Sequence, residues 1–198
     1  MRIRRLALLA AVVLMAAGWY AVQAGARAKP QVPNDICFVA PASPYDPRSG
    51  IAPNAPRVVP VGARCPVCGA FPARVPDWAA QVIFADGDAY FFDSPLSLFI
   101  YLRNLPRYAP GRKATDITAS YVRAMDDGRW IAAQAAVYVQ GSAVPGPMRR
   151  GNLPAFQDLP AARHFIARHG GVVLFSPDIS PRLLQDLAPT SHGVAGHA

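Results

Sequence analysis

Two kinds of apolar run, one alternating and one spaced for a helix, succeed each other along the chain and set out its elements. Ala79-Ala80-Gln81-Val82-Ile83-Phe84 is strand-like, Asp86-Gly87-Asp88 is a hairpin turn, and Ala89-Tyr90-Phe91-Phe92 is the returning strand. Asp93-Ser94-Pro95 then caps a helix, with Pro at the first helical position and Leu96, Phe99 and Ile100 on one face. Ile117 to Met125 is a further strand, which Asp126-Asp127-Gly128 turns into another at Arg129 to Val139. A second helix ends at His169-Gly170-Gly171, a C-terminal cap signal, before a strand over Val172 to Phe175. Asp178 to Leu187 is expected to be a short terminal helix, and 189–198 a disordered tail.

A weak repeat runs through this pattern. Gly87 precedes Phe92 by five positions, and Asp93, Pro95 and the pair Phe99-Ile100 follow. Gly151 likewise precedes Phe156 by five, and Asp158, Pro160 and Phe165-Ile166 follow, with one residue inserted before the acid and one more before the Phe-Ile pair. The spacing predicts two related strand-turn-strand-helix modules, at about 64–112 and 113–188, in an α+β fold.

The stretch ahead of these elements differs in kind. Residues 29–63 carry Pro30, Pro33, Pro41, Pro44, Pro47, Pro53, Pro56 and Pro60 with little periodicity, which predicts an extended leader or tether. Residues 1–28 read as an export signal or N-terminal anchor. Met1 to Arg5 is basic, Leu6 to Gly18 is an unbroken small and apolar run, and Ala24, Ala26 and Ala28 offer cleavage sites. The first cysteine, Cys37, follows Asn34-Asp35-Ile36 and lacks the small residue that lipid attachment expects before it.

Charge excludes one class of partner. The formal net charge is +8, but five of the basic residues lie in the first 29 positions, leaving 15 basic against 12 acidic. No basic run is interleaved with aromatics, so the balance predicts no nucleic-acid partner. No Ser-His-Asp arrangement, phosphate loop or dinucleotide fingerprint appears, and the chain has no Glu, so hydrolase and kinase chemistry is not indicated. The chain is read as something other than an enzyme.

Candidate chemistry centres on Cys65-Pro66-Val67-Cys68. Two thiols separated by two residues can form a structural disulfide, exchange one, or bind a soft metal. A redox pair of the thioredoxin type wants the motif to open a helix, and Gly69, Pro72 and Pro76 prevent that. A structural zinc site wants four ligands, which the cysteines alone do not supply unless remote histidines contribute. Met148 lies in the polar, turn-like Gly146-Pro147-Met148-Arg149-Arg150-Gly151, where nothing apolar accounts for it. A thioether paired with a thiolate suits Cu(I). His164 and His169 are five apart on the second helix and do not share a face, while His192 and His197 fall in the tail.

Taken in order, several of these segments resemble the NosL-like family of nitrous-oxide reductase accessory proteins. They are Cys65-Pro66-Val67-Cys68-Gly69, Pro76-Asp77-Trp78, Ala80-Gln81, Phe91-Phe92-Asp93, Ala136-Val137-Tyr138-Val139, Pro147-Met148 with Gly151, Ala155-Phe156, Ala162, Phe165 and Gly170-Gly171. The resemblance spans about 64–180. It implies an exported, periplasmic α+β protein of two related modules, a fold shared with the organomercurial lyase group. It implies a Cu(I) metallochaperone that supplies nitrous-oxide reductase together with an ABC-type maturation complex, touching the membrane only through an N-terminal anchor. The family's ligands carry over to Cys68 and Met148, while the middle one falls on Ala70, which has no donor atom. Cys65 is then expected to serve as third donor. The alternatives from other classes are a periplasmic thiol-disulfide protein using Cys65 and Cys68, and an interaction module of the same fold with weakened metal binding.

Overall fold

The computed structural model describes residues 40–147 and 152–188. Expectations for the export segment, Cys37, Met148 and the 189–198 tail lie outside the described residues.

Among the described residues, seven strands form two antiparallel sheets. β1 (Ala80–Phe84), β2 (Ala89–Phe92), β3 (Ile117–Arg123) and β4 (Trp130–Ala132) make the first, in the order β2-β1-β3-β4. β5 (Val137–Gln140), β6 (Ala155–Phe156) and β7 (Val172–Phe175) make the second, in the order β6-β5-β7. The helices are α1 (Pro95–Arg103), α2 (Leu105–Tyr108), α3 (Leu159–His169) and α4 (Pro181–Leu187).

The repeat is a duplicated topology. In each copy a central strand, β1 or β5, pairs antiparallel with the strand after it, β2 or β6. A helix follows, α1 or α3, and the next strand, β3 or β7, returns to the other side of the central one. The two copies share a core. Tyr138, Leu153 and Ala155 of the second pack in one cluster with Leu96, Leu98, Phe99 and Tyr101 of the first. The Phe99 and Tyr138 rings meet edge to face at 5.2 Å, and the Tyr138 hydroxyl donates to the Ala133 carbonyl at 2.7 Å.

Three expectations from the sequence change. The single strand at Arg129 to Val139 is two strands in different sheets, broken by a turn in which Ala135 and Ala136 N–H donate to Ala132 C=O. β3 and β4 consequently belong to the first sheet, so the strands divide between the copies at this turn rather than near residue 112. The Pro-rich stretch is also docked well before Arg64. Gln81 is fully buried in β1, and its amide needs partners there. It accepts from Arg57 N–H at 3.0 Å and donates to Arg57 C=O at 3.1 Å, while Ser43 pairs with Ala89. Val59 and Ala63 cover Ile83 and Phe91. β1 is therefore buried along its whole length, on both faces.

Gly171 carries the second copy's turn from α3 into β7. Its φ is 104°, and a Cβ there would lie 2.7 Å from the Gln140 carbonyl oxygen and from Val139 Cγ1. Backbone cannot yield as a side chain can, so Gly171→Ala is expected to cost about 2 kcal/mol or more. A urea unfolding midpoint equal to wild type would contradict this reading.

Candidate metal centre

Cys65 to Ala70 folds into a tight knuckle. Cys65 N–H donates to Ala70 C=O at 2.8 Å, and Gly69 N–H donates back to Cys65 C=O at 2.8 Å. Closing so short a loop requires the left-handed conformation that Gly69 adopts, with φ 74°. Outside the loop, Arg64 donates to Gly69 C=O at 3.2 Å. The guanidinium groups of Arg64 and Arg74 lie 4.2 and 4.4 Å from the Phe71 ring, which anchors the knuckle's exit. Two 3-10 turns, Pro72–Arg74 and Pro76–Trp78, then lead into β1, and no α-helix starts at the cysteines.

The knuckle faces the junction of β2 and α1. Cys65 is 1% exposed, whereas Cys68 is open to solvent, and both are free thiols. Cys68 Sγ donates to Asp93 Oδ1 at 3.3 Å. The donor atoms of Cys65, Cys68 and Asp93 all lie within 4.8 Å of one another, and among the described residues this is the one group of three such ligands.

Asp93 is the functional candidate that sequence reasoning assigned to helix capping. The cap is in fact Ser94, whose Oγ accepts from Ser97 N–H at 3.3 Å. In the second copy the matching acid, Asp158, is itself the cap and accepts from Ala161 N–H at 2.9 Å. With Ser94 capping the helix, the Asp93 carboxylate turns instead towards the thiols. The available signal was the register of the repeat, in which the acid and the cap coincide in one copy and separate in the other.

The two thiols do not ionise alike. Burial opposes ionisation of Cys65, but hydrogen bonds from the Cys68 side chain and from the Asp93 and Cys68 backbones outweigh it, so Cys65 titrates below the usual thiol range. Cys68 is pushed well above it, first by its hydrogen bond with Cys65, then by burial and by the Cys65 and Asp93 charges. The two sulfurs share one proton in their mutual hydrogen bond, and a cation bridging both would replace it.

At the family's middle ligand position, Ala70 forms the knuckle's end and offers only its backbone. Met148 lies outside the described residues, in the connection from β5 to β6. The base of that connection is held by Asn152, whose amide donates to Ser142 Oγ at 3.1 Å and to the Val144 carbonyl. His169 packs against Phe165 at 4.7 Å in the last turn of α3 and takes no part in the cysteine cluster. His192 and His197 lie outside the described residues.

A duplicated antiparallel α+β fold thus carries a two-thiol knuckle beside a buried carboxylate, a donor group of the class that could hold a metal ion. Residues 57–184 match the family model of NosL, and on that match the chain belongs to the NosL family. It is 30% identical over 130 residues to the copper-binding lipoprotein NosL of Stutzerimonas stutzeri, covering 65% of this chain and 68% of that protein. The fold is similar to the crystal structure of the copper chaperone NosL from Shewanella denitrificans, with TM-score 0.54 and 21% identity over 66% of this chain and 99% of that one. The solution structure of apo-NosL from Achromobacter cycloclastes is 30% identical, with TM-score 0.40 over 58% and 93% of the two chains.

Proposed function

We propose that this chain is a copper carrier that holds its cargo as Cu(I) through Cys65 and Cys68, with Met148 as a further sulfur donor. The observation that supports this most is the pairing of one buried and one exposed thiol in a rigid knuckle. The buried sulfur anchors the ion, and the exposed one leaves an edge through which a recipient's ligand can approach and exchange. A soft cation suits two thiolates and a thioether. The likeness to a copper-binding lipoprotein supports copper as the metal. That protein's description as a lipoprotein and the basic-then-apolar N-terminus together support an exported, envelope-associated location, periplasmic in a two-membrane cell. Among the described residues no helix is long and apolar enough to cross a membrane. The recipient we propose is nitrous-oxide reductase, served together with an ABC-type maturation complex.

The test is an anaerobic titration of the reduced protein with Cu(I) against a chromophoric chelator. One equivalent should be withheld from the chelator. In Met148→Leu, which keeps volume and apolarity and costs less than ~1.5 kcal/mol of stability, the withheld copper should be measurably easier to remove. Complete transfer of copper from wild type to the chelator would end the carrier reading. Equal retention by the two proteins would remove Met148 from the site.

A further inference from the structure

The segments that enter and leave the knuckle line an open groove of about 310 Å³. Val58, Val59 and Val61 come from the entering segment, and Ala73 and Pro76 from the leaving one. Arg123 of β3 and Trp130 of β4 complete the lining. Val59 turns inward to cover Ile83 and Phe91, whereas Val58 is 87% and Val61 85% exposed. Single exposed valines are ordinary on a protein surface. Two of them lining a groove that also presents Trp130 form an apolar patch of the kind that marks an interaction site.

The charge around the patch decides what covers it. Arg64 and Arg74 both stack on Phe71, and the Arg123 guanidinium lies 5.0 Å from the Trp130 ring. Among the described residues none of the three takes part in an ion pair. Asp127 feels the charge of Arg123 but pairs with Arg129, and Asp77 is exposed in the turn Pro76–Trp78. A guanidinium held on a ring keeps its donors free and loses less freedom when a carboxylate arrives. A second copy of this chain would bring the same cations against the rim. The chain's own first 29 residues carry five basic groups and no acid, so they are repelled as well. A lipid surface takes apolar groups that protrude, and Val59 and Trp130 are half-buried in a groove. An acidic protein segment meets both the charge and the shape.

We propose that this groove docks an extended, acidic segment of a partner protein. Its aliphatic side chains fill the space between Val58, Val61 and Trp130, and its carboxylates meet Arg64, Arg74 and Arg123. That the partner is the recipient of the cargo rests on the carrier reading; the surface itself rests on the groove and its rim. Arg64 ties the two together. Its guanidinium donates to the Gly69 carbonyl at 3.2 Å and lies 4.2 Å from Phe71. A segment held by Arg64 therefore lies alongside the loop that carries the exposed Cys68. Trp and Arg are also the residue types that carry most of the energy at interfaces. Rim charges act chiefly on encounter rate and salt dependence, so the arginines gather the partner and the apolar groove retains it.

The probe is a short blocked peptide of alternating Asp and Val, with a counterpart carrying Lys in place of Asp as control. In NMR spectra of the reduced, copper-free full chain, the acidic peptide should saturably shift the amides of Val61, Arg74 and Arg123 and the Trp130 indole N–H. The shifts should need more peptide at high salt, and the Lys peptide should cause none. Val58→Ser combined with Val61→Ser should weaken binding at least ~10-fold, because two aliphatic groups lose their burial. Arg74→Gln combined with Arg123→Gln should weaken it roughly 3-fold or more, as expected of exposed charge pairs. Both variants should retain Cu(I) against the chelator as wild type does, since none of these side chains belongs to the cysteine cluster. Absence of saturable shifts, an equal response to the two peptides, or unchanged affinity in the valine variant would overturn the proposal. So would tighter binding of phosphatidylglycerol vesicles through the same residues, or self-association that the valine variant abolishes. If the peptide binds as described but wild type yields all its Cu(I) to the chelator, the carrier reading fails and the docking surface stands.

Discussion

Oxidation of Cys65 and Cys68 to a disulfide is expected to abolish copper retention, and reduction to restore it in full. The two sulfurs already lie within 4.8 Å of each other in one knuckle. Closing the bond removes two protons and two electrons, which an oxidant such as oxidised glutathione accepts as two thiols. The product offers no thiolate, and a disulfide is a poor ligand for any cation. The rate should carry a signature of the site. Cys65 is too deeply buried to meet the oxidant, so attack falls to Cys68, whose thiol is held above its usual range by Cys65, by burial and by Asp93. At neutral pH only a small thiolate fraction exists there. It grows about tenfold for each unit of rising pH while the pH stays below the thiol's own pKa. Oxidation should therefore be slow at pH 7 and accelerate steadily above it, and bound copper should block it. Free-thiol counts and copper content measured together decide the matter. Oxidised protein, with its thiols consumed, that still holds one copper would place the metal elsewhere.

The sequence made the first copy's hairpin legible because Asp86-Gly87-Asp88 punctuates it and Phe91-Phe92 sits between two strong signals. The break between β4 and β5 carried no such punctuation. Ala133, Gln134, Ala135 and Ala136 contain neither Gly nor Pro, and the turn is held where the Ala133 N–H donates to the Ser120 carbonyl of β3 and the Ala133 C=O accepts from the Tyr138 hydroxyl. The docked leader was hidden for a similar reason. Its proline-rich composition describes an extended backbone accurately, but what holds it is the buried amide of Gln81, 24 residues away from Arg57. At the metal centre, the two cysteines were visible as a local motif, whereas Asp93 reaches them only because Ser94 takes the capping role. Spacing within a short window reports local contacts, and Asp93 lies 25 residues from Cys68.

The individual cysteines should not prove equivalent to replacement. Cys68→Ser removes the sulfur that reaches solvent and is expected to weaken Cu(I) binding at least ~100-fold, equivalent to about 2.7 kcal/mol. It should also abolish transfer to any recipient, because the buried Cys65 cannot be approached directly. Cys65→Ser should weaken retention but leave the exchange edge intact. Position 70 then offers a rescue. Ala70 is fixed through its backbone, with its carbonyl accepting from Cys65 N–H at 2.8 Å and its amide bonded to the Cys68 sulfur. A longer side chain there leaves the knuckle's own hydrogen bonds unchanged. Ala70→Met in the Cys65→Ser background puts a thioether two residues from Cys68, the spacing that the family resemblance implies, and should recover most of the lost affinity. The same substitution on Cys68→Ser should recover little, since a thioether carries no charge and cannot stand in for the accessible thiolate. Chelator competition across the four proteins reads this directly. Equal losses in the two serine variants, or rescue of both by Ala70→Met, would mean that the buried and exposed sulfurs have interchangeable roles and that the asymmetry of the knuckle has no bearing on how copper is held.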